Sequence, residues 1–145
     1  MAELNQYQKT SVTTATPIEL VLMVYDECIR SLGLAEEAFA LEGPERIEQI
    51  GNHLLHAQES ISELSVSLDM EQGGEIAENL HRLYDFMINH LSHANVKKEL
   101  QPVLEVRGMM DDLRGAWKQV AEQAPMIQPQ DPFGASRSGG LNFSG

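Results

Sequence analysis

The chain has 145 residues, enough for one hydrophobic core but not for two comfortable domains. Its 10 Lys and Arg face 22 Asp and Glu, and the formal charge of −12 repels both a phosphate backbone and an anionic membrane surface, which argues against nucleic acid and bilayers as partners. A single cysteine, Cys28, excludes an intramolecular disulfide and a cysteine-based zinc cluster and fits a reducing compartment.

Residues Met1 to Gln6 have neither the basic region nor the apolar stretch of a secretory signal. No apolar run approaches the roughly 20 residues needed to span a bilayer, so a cytosolic location is expected. The polar stretch 1–16, punctuated by Tyr7 and Val12, reads as an extended arm. Thr16-Pro17 predicts a helix start, because the hydroxyl can cap free backbone N–H groups and proline loses no hydrogen bond at the first helical position. In this first helix Leu20, Val24, Cys28, Ser31, Ala35 and Phe39 share one face, while Ile18, Leu22, Tyr25, Ile29 and Leu32 share another.

Gly43-Pro44 breaks the pattern. The second helix has a seam of Ile47, Ile50, Leu54, Ala57, Ile61, Leu64 and Leu68 at alternating three- and four-residue spacing. Gly73-Gly74 separates it from a third helix starting near Glu75 and ending near Asn95, with Ile76, Leu80, Leu83, Met87, His90 and Ala94 as its expected seam. A second apolar stripe, Tyr84, Ile88 and Leu91, makes this helix too apolar for a single buried face. Pro102 opens a fourth helix with Val103, Val106, Met110, Leu113, Trp117 and Val120 facing inward. Gly108 and Gly115 each weaken that helix by about 1 kcal/mol relative to alanine, which points to either close backbone approach or a loosely held helix. Pro125, Pro129, Pro132 and Gly139-Gly140 mark a disordered tail.

The expected fold is therefore all-α: an antiparallel up-and-down four-helix bundle over 17–123, an extended N-terminal arm over 1–16 and a disordered C-terminal tail over 124–145. No repeat of 20 to 50 residues suggests a solenoid.

Histidine offers the best opening for site chemistry. His53 with His56 and His90 with His93 have a spacing that could share a metal across antiparallel helices, but the four do not obviously converge, and surface or boundary positions are the preferred reading. Glu78-x-x-His81 imitates half of a di-iron carboxylate motif without a second copy. Cys28 sits among apolar residues, as a small buried hydrophobe rather than a nucleophile. No phosphate-cradling glycine loop, nucleophile elbow or zinc-peptidase helix is present, so no catalytic residue, cofactor or metal is expected. The surplus apolar stripes have two explanations: both faces are core, or a partner's amphipathic helix fills a furrow between bundle helices.

A resemblance carries the reading further. Tyr7, Val12 and Thr14-Ala15-Thr16-Pro17-Ile18-Glu19-Leu20-Val21-Leu22-Met23-Val24-Tyr25-Asp26 resemble the N-terminal signature of the FliS family of flagellar secretion chaperones. Gly73-Gly74-Glu75-Ile76-Ala77-Glu78-Asn79-Leu80, Leu83-Tyr84-Asp85-Phe86-Met87 and Ala94-Asn95 resemble its second signature, with Ser67-Leu68-Asp69 before it and Ala116-Trp117 after. Departures are Glu27 and Cys28 where Gly and Ala are usual, Phe86 for a common Tyr, and His90 for a basic residue.

The resemblance implies a cytosolic chaperone that binds the disordered C-terminal region of flagellin, prevents premature polymerisation and assists secretion by the flagellar export apparatus. It also implies delivery to the export gate and, in some members, contact with an anti-sigma factor. A segment that folds on binding needs continuous apolar surface, and Leu22 and Tyr25 with Tyr84, Ile88 and Leu91 are the expected groove. Tyr7 and Val12 are the arm residues expected to affect binding, by occupying part of that groove when flagellin is absent.

Overall fold

The computed structural model describes residues 15–123 and 132–133. Tyr7, Val12 and the rest of the expected arm to residue 14 lie outside the described residues, as does the expected tail except for Pro132 and Phe133. Four helices follow one another: α1 (Pro17–Phe39), α2 (Glu45–Val66), α3 (Gly74–Lys97) and α4 (Gln101–Glu122).

The start of α1 follows from its first residues. Thr16 Oγ1 accepts from the Glu19 backbone N–H at 3.3 Å, and Glu19 Oε1 accepts from the Thr16 backbone N–H at 2.8 Å, a reciprocal cap that satisfies two otherwise free donors. The turn into α2 passes through Gly43 at φ 83°, a left-handed conformation that glycine adopts without strain. Arg46 then reaches back, its Nε donating to the Phe39 carbonyl at 3.0 Å.

Each helix lies against its chain neighbours, and α4 returns against α1 to close the ring. The cross-links show antiparallel order: α1 Asp26 pairs with α4 Arg114 and α1 Glu36 with α4 Arg107, so one helix ascends as the other descends. Between α2 and α3, Gln58 reaches Ser92 at 2.8 Å while Gly51 lies beside Asn95, again with opposite sense. The fold is the expected up-and-down four-helix bundle.

The core lies along four seams. Ile18, Val21, Tyr25, Cys28, Leu32 and Ala35 form that of α1, drawing on both of its expected faces. In α2 the seam runs as expected from Ile50 to Leu64, and Leu68 continues it just past the helix end, but Ile47, at 50% exposure, lies outside it. The seam of α3 corrects the expectation. It is Ala77, Leu80, Tyr84, Met87, Leu91 and Ala94, an unbroken alternation of three and four residues, so Tyr84 and Leu91 are core rather than a second stripe. Ile76, Leu83 and His90 sit one position to the side. On α4, Val103, Val106, Met110 and Trp117 are buried, with Leu113 and Val120 packed partly against them. Gly108 and Gly115 have nothing among the described residues within 4 Å of where a Cβ would stand, so no close backbone approach there accounts for them.

Three buried ring side chains form a polar junction in the interior. The Tyr25 and Tyr84 hydroxyls meet at 2.6 Å, and the Trp117 indole N–H donates to Tyr25 Oη at 3.0 Å, which ties α1, α3 and α4 together. No buried side-chain polar atom among the described residues lacks a partner.

Candidate partner-binding surface

Once the seam of α3 is removed, Ile76, Leu83 and Phe86 remain apolar on its flank toward α4, with Ile88 and Val96 elsewhere on the helix. Ile76, Leu83 and His90 recur every seven residues, one position before seam residues Ala77, Tyr84 and Leu91, so they line one edge of the core. His90 Nε2 meets Glu105 Oε1 of α4 at 2.6 Å, which fixes the neighbour this flank faces. That hydrogen bond holds the Glu105 carboxyl below its ordinary range, since it favours the carboxylate.

Phe86, three residues after Leu83, stacks on the His90 ring at 4.9 Å between centroids and 24° between planes. It remains 50% exposed. Met109, one turn beyond Glu105 on α4, and Leu113, one turn further, face the same furrow. Leu83, Met109 and Leu113 are partly buried against the core, while Ile76 at 42% exposure extends the strip toward the start of α3. By helical spacing these residues form an apolar strip along the α3–α4 seam, with Ile76 and Phe86 exposed.

The other flanks differ. Toward α2, the Gln58 amide donates to the Ile88 carbonyl at 3.0 Å and to Ser92 Oγ at 2.8 Å; this flank of α3 carries His81, Asp85 and Asn95 beside half-buried Ile88, and the facing stripe of α2 carries Gly51, exposed Leu55 and Gln58. On α1, Leu22 lies on the flank with Asp26, Ile29, Gly33 and Glu36, which the two arginines of α4 close by ion pairing. Leu22 and Ile88 therefore sit on different sides of the bundle and not in one groove. Tyr25, Tyr84 and Leu91 have no exposed surface, and two of them meet inside it.

His56 approaches Glu27 of α1 at 3.2 Å, His81 lies by Asp85 at 3.5 Å, and His93 lies by Glu99 at 3.8 Å, so the histidines turn to different carboxylates instead of converging. Burial pushes the Cys28 thiol up to about 12, aided by the Glu27 charge, and its sulfur rests 3.7 Å from the Ala57 carbonyl. Burial likewise pushes Tyr25 up to about 12 and raises Tyr84 further. No group of three metal-ligating side chains occurs among the described residues, and no described helix is long and apolar enough to cross a membrane.

What fold and surface define is an all-α bundle whose exposed hydrophobics among the described residues include Ile76 and Phe86 beside the α3–α4 seam. The family model for flagellar protein FliS matches residues 1–124. The flagellar secretion chaperone FliS of Bacillus subtilis is 37% identical over 116 residues, covering 80% of this chain and 84% of the relative. That of Salmonella typhimurium is 35% identical over 117 residues, covering 80% and 84%. The one from Vibrio cholerae is 35% identical over 121 residues, covering 81% and 87%. The chain belongs to the FliS family, whose members are flagellar secretion chaperones and not enzymes.

Sequence reasoning missed Leu83, Phe86 and Met109 as a surface. The signal was present: Ile76, Leu83 and His90 at sevenfold spacing beside a complete seam imply an apolar flank that the seam does not require.

Proposed function

We propose that this chaperone works in the cytosol, holds the C-terminal region of its flagellin unpolymerised, and presents it to the flagellar export apparatus. The observation that carries the reading is the α3–α4 strip, where a half-exposed Phe86 and an exposed Ile76 flank Leu83, Met109 and Leu113. Such a furrow suits an amphipathic helix of a client segment that folds as it binds. Ordering that segment costs about 2–5 kcal/mol, so a continuous strip serves better than one pocket. Leu22 and Ile88 keep some exposed surface and stand as contacts for a client that wraps onto the neighbouring flanks. Tyr25, Tyr84 and Leu91 act from beneath, by holding the helices that carry the strip. Tyr7 and Val12 of the arm compete for the strip while no client is present. The export gate and an anti-sigma factor are the further partners of this reading.

Calorimetric titration with a peptide of the flagellin C-terminal region tests it. Phe86→Gln should weaken binding by about 30-fold, as for a central aromatic anchor worth roughly 2 kcal/mol, with the helical signal intact. Ile88→Asp and Leu22→Asp should weaken it less. An unchanged affinity in folded Phe86→Gln would remove the strip from the proposal, and a parent chain that never co-purifies with its own flagellin would overturn the function.

A further inference from the structure

The loop joining α2 to α3 makes a contact that closure of the bundle does not require. The Asp69 backbone N–H donates to the Pro132 carbonyl at 2.7 Å. The next residue, Phe133, stands edge-on to Trp117 with centroids 5.1 Å apart and planes at 71°, and only 6% of it is exposed. Gly73 makes the room: a Cβ there would come within 2.8 Å of Pro132 Cα, 2.7 Å of Ala77 Cβ and 2.6 Å of the Asp69 carbonyl oxygen.

The receiving site also has hydrogen bonds of its own. Gly73 N–H donates to the Asp69 carbonyl at 2.7 Å and Gln72 N–H to Asp69 Oδ1 at 2.9 Å, which shapes the loop. Trp117 is held by its own hydrogen bond to Tyr25. A backbone donor, a glycine floor and an indole wall together recognise a peptide carbonyl followed by an aromatic side chain. The site also lies at one end of the α3–α4 strip, because Trp117 is one turn beyond Leu113 and Gly73 packs on Ala77 beside Ile76.

We propose that this pocket is a docking site for an extended, aromatic-bearing segment, that the chain's own Pro132–Phe133 occupies it in cis, and that a client lying along the strip displaces them. The displacement rests on the function proposed above; the pocket does not. The Asp69–Pro132 hydrogen bond and the Phe133–Trp117 ring contact are non-covalent and reversible. Two groups carried on one chain meet at an effective concentration on the order of mM, enough to keep such a site filled yet exchangeable. The C-terminal segment then acts as a built-in competitor that raises the threshold for client binding.

Trp117 is the chain's single tryptophan and reports the pocket directly. In full-length Phe133→Ala its emission should shift to the red and its quenching by acrylamide should rise. A peptide of residues 128–138, with the native Pro-Phe pair, should reverse both. The same variant should bind the flagellin C-terminal peptide about three- to tenfold more tightly, because the competent fraction of the site rises. Unchanged emission and quenching in Phe133→Ala would overturn the pocket. A shift in the parent protein that depends on chain concentration would overturn docking in cis in favour of exchange between copies. Equal client affinity in parent and variant would overturn displacement, and a client peptide that binds neither overturns it together with the functional reading, while the fluorescence still decides the pocket.

Discussion

Tyr84 and Phe86 are two residues apart on α3 and live in opposite worlds. Tyr84 is wholly inside, its hydroxyl joined to Tyr25 and through it to Trp117, whereas Phe86 lies on the flank, stacked on His90 with half its surface in solvent. At about 100° per residue the two positions differ by more than half a turn, so one aromatic is spent on joining three helices and the other is left for contact. An aromatic ring on a helix is assigned to stability or to recognition by its angular position, not by its type. The interior junction should thus govern folding with little direct say in binding, and the strip should do the reverse.

The largest effect expected is on Tyr84→Ala, which removes a fully buried ring and leaves the Tyr25 hydroxyl short of a partner. It should cost about 3–5 kcal/mol in urea unfolding. A loss below about 1 kcal/mol would break the comparison, since the junction would then not hold the helices.

Alkaline titration comes next. Tyr25, Tyr84 and Cys28 are all raised by burial, Tyr25 from 10.0 to about 12 and Cys28 from 9.0 to about 12. Groups raised in the folded state contribute stability that is complete below their unfolded values and is lost as pH climbs toward the folded ones. The bundle should therefore hold steady to about pH 9 and weaken from there, Tyr25 alone accounting for about 2–3 kcal/mol by pH 12 at roughly 1.4 kcal/mol per unit. Unfolding free energies that stay flat between pH 8 and 11 would mean the junction is open to water.

A smaller change of opposite sign is expected at Gly108 and Gly115. Neither has a neighbour among the described residues that a methyl group would strike, so Gly108→Ala and Gly115→Ala should each stabilise by about 0.5–1 kcal/mol in urea unfolding. Destabilisation would show that the outer face of α4 is tighter than it stands here.

Much of the bundle was legible because the seam of α2 and the cap at Thr16 are local patterns. The seam of α3 was not read correctly, since Ala77 and Ala94 add little to an apolar count and Ile76 and Leu83 add much. Yet small residues at strict spacing define where helices approach. Large ones beside them can belong to a partner, and a single sequence does not label which. Tyr25 meeting Tyr84 is a contact across the diagonal of the ring, set by how four helices pack and by nothing in either helix alone. Phe133 was hidden by its setting, a lone aromatic in a stretch of Pro and Gly whose pocket is assembled from Asp69, Gly73 and Trp117.

Phe86→Gln sharpens the contrast most because it should do almost nothing to the fold. Half of the ring is already in water, so only part of its apolar area is lost. Glutamine keeps an aliphatic stem against His90 and is the better helix former, which offsets some of that loss. Urea unfolding should thus move by no more than about 0.5 kcal/mol, the range of ordinary surface substitutions. A change several times larger would mean that Phe86 is a structural residue after all, and the exposed strip would shrink to Ile76 with little left to offer a client. A silent change in stability, set beside a large loss of peptide binding, would separate the two roles of α3 within two residues of sequence.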